Sequence, residues 1–163
     1  MSSKMKSELI GLRTYCGRVD WIGIADQKRG PMAEMPSVHV VPGTGIEGEY
    51  HATSAKPTKR EVTIIQSEYL PVIAALLRVD DVQPAALRRN IAVSGINLAS
   101  LRKSRFRIGD AVLEGTGDCV PCQRMEETLG TGGYEAMVAH GGITAVVLQE
   151  GTVSIGDEIR RDD

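Results

Sequence analysis

Apolar and polar positions alternate over short runs along most of the chain, which is the signature of half-buried strands. Glu8–Tyr15 (ELIGLRTY) and Val19–Ala25 (VDWIGIA) flank Cys16-Gly17-Arg18 and predict an opening hairpin that turns at those three residues. Ser37–Val41 (SVHVV) alternates and stops at Pro42, while Glu61–Ile65 (EVTII) is β-branched without alternation and reads as a strand buried on both faces. Asn90–Val93 and Ile143–Gln149 are further strands. Two related runs, Phe106 to Leu113 and Val153 to Arg160, each break at Gly-Asp and then resume alternating, as a bulge or tight bend between strands requires.

Helical periodicity is scarce. Ser67 is placed to cap a helix over Glu68–Leu77, with Pro71 tolerable near its first turn. Gln83–Arg89 and Gln123–Leu129 are the other helical segments. Strands that follow one another with so few helices argue against a doubly wound sheet. The expected fold is mainly β with a few short helices, a closed or partly closed β-barrel. No repeat, low-complexity tract or linker interrupts residues 1–163, so a single domain is expected.

Composition narrows the function. The 163 residues carry 42% hydrophobic and 25% charged positions, within the range of ordinary globular proteins. A formal charge of −2 provides no general basic field for nucleic acid, and six aromatic residues are too few for a base-stacking surface. No apolar run approaches the ~20 residues of a membrane span, and the N-terminus lacks a secretory h-region, so a cytoplasmic protein is expected. The 18 glycines and 7 prolines fit many turns between short elements.

One motif is deceptive. Gly43-Thr44-Gly45-Ile46-Glu47-Gly48 matches the dinucleotide fingerprint in letters, but no apolar amphipathic helix follows to meet a pyrophosphate. The stretch reads instead as a glycine-rich loop, or as one approaching another ligand with His51 at its end.

The chemistry concentrates at Cys119-Val120-Pro121-Cys122. A zinc site would need two further ligands, yet Cys16, His39, His51 and His140 are scattered. A redox pair of the thioredoxin kind would follow the first strand of a βαβ unit. The third reading is a single reactive thiolate: Cys122 precedes a helical run, and that position together with Arg124 would favour the ionised thiol as nucleophile or metal ligand. Arg88-Arg89-Asn90 forms a natural anion clamp, although an isolated arginine pair is ordinarily a solvated one. His140-Gly141-Gly142 would let backbone N–H groups approach a phosphate or sulfur, or would simply be a turn. Together the three clusters point to an anionic, sulfur-bearing or metal-bearing ligand.

The order of Gly45–His51, Arg60–Glu68, Leu87–Leu98, Phe106–Ala111, Cys119–Glu127 and His140–Ala145 resembles the MOSC domain, named after the C-terminal domain of molybdenum cofactor sulfurase, in its stand-alone bacterial form. Glu49 is a departure, standing where the family loop often has Asp. The resemblance implies a barrel like the β-barrel domain of pyruvate kinase and a reactive cysteine, here Cys122, that ligates molybdenum or carries sulfur. It implies a molybdenum–pterin cofactor; the chemistry of the residues, taken together with the resemblance, places Arg88, Arg89, Asn90, His51, Arg124, His140, Gly141 and Gly142 around it. Two functions follow: a molybdenum-dependent reductase of N-hydroxylated small molecules, or a sulfur carrier delivering persulfide sulfur to a metal centre or to the cofactor. A separate electron-donor protein or cysteine desulfurase is then the expected partner. No pyridoxal phosphate site is expected within the chain.

Overall fold

The computed structural model describes residues 2–3, 16–53 and 58–162. In chain order its strands are β1 (Cys16–Ile24), β2 (Ala33–Glu34), β3 (Ser37–Val41), β4 (Gly45–Ile46), β5 (Val62–Gln66), β6 (Ile91–Ser94), β7 (Arg105–Ile108), β8 (Ala111–Asp118), β9 (Ile143–Gln149), β10 (Gly151–Ser154) and β11 (Glu158–Arg161). The helices are α1 (Tyr69–Leu77), α2 (Pro84–Leu87), α3 (Gln123–Leu129) and α4 (Gly133–Met137). Seven strands run β11-β7-β8-β9-β5-β6-β1, and β1 returns to pair with β11, closing a barrel. Closure removes the free edges that an open sheet would expose. A smaller sheet, β10-β3-β4, stands beside it.

Every barrel pairing is antiparallel except β5 with β6. A parallel pair needs a long crossover, and the segment between these two strands supplies it with α1 and α2. The barrel interior is filled by Val19, Ile64, Ile91, Phe106, Ile108, Leu113 and Ile159 among others. A second apolar layer, including Ile65, Ile73, Leu87, Ala92, Met125 and Met137, lies under the helices. Ile64 and Ile65 are therefore both fully buried, each on its own face of β5, which explains why this strand lacks alternation.

Most expected elements are present, with local corrections. The predicted hairpin turn at Cys16-Gly17-Arg18 is strand: these residues open β1 and pair with Arg160, Ile159 and Glu158 of β11. The strand expected over 8–15 lies outside the described residues. Ser67 does not cap α1; its hydroxyl donates to Asp20 Oδ2 at 2.7 Å, and Glu68 occupies the cap position without a side-chain bond. The helix expected over Gln83–Arg89 stops at Leu87, because Arg88 takes the left-handed conformation (φ 56°) and turns the chain into β6. The Gly-Asp breaks separate β7 from β8 and β10 from β11. The second break moves the chain from the small sheet into the barrel.

Candidate functional site

Cys122 sits at the N-cap of α3 in extended backbone (φ −123°, ψ 173°), and its thiol is exposed. Cys119, three residues earlier, is buried at the end of β8, where its N–H bonds the Gly142 carbonyl at 2.9 Å. The C-x-x-C thus divides into one accessible and one inaccessible sulfur. Among the described residues no three His, Cys, Asp or Glu side chains converge as a metal-binding cluster, so a four-ligand zinc site has no counterpart there.

Cys122 opens onto a cleft of about 370 Å³. The loop after β4 supplies Glu49, Tyr50 and His51; the approach to β5 supplies Arg60 and Glu61; the end of α2 supplies Arg88, Arg89 and Asn90. The first turn of α3 adds Arg124, and the loop after β1 adds Arg29. Close packing brings the first loop in: a side chain on Gly45 (φ 90°) would reach within 2.5 Å of the Glu61 carbonyl. Residues 43–48, which match the dinucleotide fingerprint only in letters, form a turn and a two-residue strand, followed by a 3₁₀ turn at Tyr50–Thr53 that brings His51 to the cleft.

The arginine pair is not solvated as a unit. Arg88 Nη1 donates to the Gly30 carbonyl at 2.7 Å and ties the Arg29 loop to the cleft. Arg89 is 3% exposed, and its guanidinium donates to the carbonyls of Gly141 (2.8 Å), Leu87 (2.8 Å) and Cys119 (3.4 Å). Among the described residues no carboxylate pairs with it. Burial lowers its pKa from the usual arginine value; the sulfurs of Cys119 and Cys122 act in the opposite sense, and Arg60 acts with burial. A buried cation held by neutral carbonyls beside a thiol keeps its field for whatever anion enters.

Five arginines and three glutamates line the cleft, in a chain whose own formal charge is −2. Two of those glutamates are engaged with the protein: Glu49 Oε2 accepts the Ala25 N–H at 2.8 Å, and Glu61 Oε2 accepts the Val147 N–H at 2.7 Å. Asn90 is chiefly structural. It is 8% exposed, accepts from the Thr63 N–H and hydroxyl at 3.1 Å each, and donates to the Gly23 carbonyl and Glu49 Oε2.

The His140-Gly141-Gly142 expectation needs correction. His140 does not line the cleft; its ring lies against Tyr69 (centroids 5.3 Å apart), with Nδ1 3.1 Å from the Ala136 carbonyl. Gly141 and Gly142 act from behind, one accepting from Arg89 and the other from Cys119. Gly142 (φ 87°) lies so close to β5 that a side chain would sit 2.0 Å from the Ile64 carbonyl. Sequence reasoning left out Arg29, Glu61 and Thr63. Glu49 was noted only as a departure, although its place two residues before His51 was the available signal.

The described residues thus form a closed β-barrel with an exposed Cys122 thiol at a cleft lined by five arginines. The MOSC domain model matches residues 37–160, and the chain belongs to the MOSC domain family, which is associated with the molybdenum cofactor. Among solved structures, the YuaD protein of Bacillus subtilis is 25% identical, with a TM-score of 0.78 over 88% of this chain and 94% of that one. YiiM of Escherichia coli (16% identity, TM-score 0.68, 90% of this chain and 70% of that one) shares the fold. So does YiiM of Geobacillus stearothermophilus (14% identity, TM-score 0.73, 90% and 75%). No curated protein matches the sequence significantly. No helix among the described residues is long and apolar enough to cross a membrane.

Proposed function

We propose that the chain binds the molybdenum–pterin cofactor in the Cys122 cleft and reduces N-hydroxylated small molecules, drawing electrons from a separate donor protein. The observation that carries this reading is the exposed Cys122 thiol beside a buried arginine that has no carboxylate partner among the described residues, in a cleft of about 370 Å³. The donor set fits the group: a thiolate suits a soft molybdenum centre, and arginines suit a phosphate. Cys122 would ligate the metal, while Arg89, Arg88, Arg60 and Arg124 would face the anionic part of the cofactor. When bound, the cofactor supplies two-electron chemistry at an N–O bond. The chain's own part is to hold the anion and to keep Cys122 accessible at the N-cap of α3. A cleft of this size also favours a bound cofactor over a persulfide sulfur alone.

The test is metal and pterin analysis of protein purified from a host that makes the cofactor, followed by turnover of an N-hydroxylated amidine or purine with a chemical reductant. Stoichiometric molybdenum and pterin that are lost in Cys122→Ser, together with turnover, are expected. A molybdenum-free protein bearing a labile persulfide would replace this reading with that of the sulfur carrier.

A further inference from the structure

The cleft contains a second chemical device besides its thiol. Glu49 is 5% exposed, and its Oε2 takes N–H bonds from Ala25 (2.8 Å) and Asn90 (3.4 Å). Its other oxygen, Oε1, lies 3.2 Å from Nδ1 of His51. The His51 imidazole is 59% exposed and lines the same cleft as Cys122. Its ring also stacks at a tilt on Tyr50, with centroids 3.9 Å apart, which restricts rotation. A carboxylate fixed at Oε2 by two donors accepts the Nδ1 proton at Oε1 and leaves Nε2 as the working nitrogen. No partner for Nε2 is present among the described residues. Structural histidines look different: the Nδ1 of His140 meets a backbone carbonyl of the preceding helix, and His39, on the small sheet, pairs with exposed Glu150.

We propose that His51 Nε2 is the proton donor to the oxygen that leaves an N-hydroxylated substrate, and that Glu49 is the residue positioning it; this rests on the reductase reading above. The net reaction takes R–NH–OH to R–NH₂ and water. The N–O bond breaks, two electrons arrive from the separate reductant protein, and the nitrogen takes a proton from solvent. The departing oxygen takes the second proton from the His51 imidazolium and leaves as water, and solvent then restores the imidazolium. A departing hydroxide is a poor leaving group, so a donor at this point is worth roughly 10²–10⁴-fold in rate.

The first experiment needs no activity. Long-range proton–nitrogen spectra of metal-free protein, with His51 assigned through His51→Gln, should show its neutral ring protonated at Nδ1. Glu49→Gln should shift the ring toward the Nε2–H tautomer that free imidazole side chains prefer. In the loaded protein, His51→Gln should retain molybdenum and KM but lose about 10²-fold in kcat, with partial rescue by added imidazole. His39→Gln, outside the cleft, should match wild type. An Nε2–H tautomer in wild type, or an undiminished kcat in His51→Gln, overturns the proposal. A loaded wild type that turns over no N-hydroxylated compound overturns the reductase reading and the donor role with it; the wild type's own inactivity tells that failure apart from failure of His51 alone.

Discussion

Asn90→Ala separates a buried strut from a ligand contact, because its effect should appear in metal-free protein. Asn90 joins three parts of the fold: Thr63 on β5, Gly23 on β1 and Glu49 on the cleft loop. Truncation removes the side-chain acceptor of the Thr63 N–H, a bond of 3.1 Å, and leaves that donor buried. The Thr63 hydroxyl loses the same acceptor but still receives the Asn90 backbone N–H at 3.0 Å. The contacts to Gly23 and Glu49, at 3.3 and 3.4 Å, are long, and Glu49 keeps its shorter bond to Ala25. An orphaned buried donor costs roughly 1–3 kcal/mol, and the weaker losses bring the total to about 3 kcal/mol. For a domain of this length that is a fall in Tm of roughly 6–12 °C, measured by calorimetry or circular dichroism on metal-free protein. Asn90→Asp keeps the acceptor but sets a carboxylate beside Glu49, so it should also melt below wild type at neutral pH. An Asn90→Ala protein that melts within about 2 °C of wild type yet fails to take up cofactor would refute the strut argument and make Asn90 a ligand contact.

Two further predictions concern groups outside the cleft. Glu126 accepts N–H bonds from Tyr134 and Gly132, which hold its carboxyl below the usual glutamate range. A depressed folded pKa contributes stability above the unfolded value of about 4.3 and loses it as pH falls through the folded value, so Glu126→Gln should lower Tm at pH 7 and shrink that gap in melts on acidification. Burial, followed by the charge and hydrogen bond of Glu158, raises the pKa of the Cys16 thiol. In timed alkylation at pH 7.5, Glu158→Gln should therefore label Cys16 several-fold faster than the parent, and an unchanged rate would refute the electrostatic assignment.

The strands were legible because alternation is a local property. The scarcity of helices pointed to a closed or partly closed barrel, but not to the pairing that closes it: β1 with β11 joins residues at opposite ends of the described chain and depends on register rather than on either segment alone. The same limit governs the corrected turn: Cys16, Gly17 and Arg18 have turn-like chemistry, and only the distant partner strand makes them extended. Ser67 was a reasonable cap by propensity, but Asp20, brought near where β1 breaks register between Val19 and Trp21, takes its hydroxyl instead.

The site was legible as a set of segments but not as a set of roles, and burial explains the difference. Arg88 and Arg89 are identical letters, yet the left-handed turn at Arg88 sends the first to a loop carbonyl and the second inward beneath the cysteines. Cys119 and Cys122 divide in the same way, one following directly on a strand of the barrel wall and the other capping a helix. Both His140, beside its glycine pair, and His51, at the end of a glycine-rich loop, were candidate ligand contacts in the sequence, and only His51 lines the cleft. What distinguishes them is a buried carboxylate behind one ring and a backbone carbonyl behind the other. A buried carboxylate beside an exposed ring costs desolvation that a purely structural contact could avoid with a neutral partner. The Glu49–His51 pair is for that reason the part of this cleft least readily explained by packing alone.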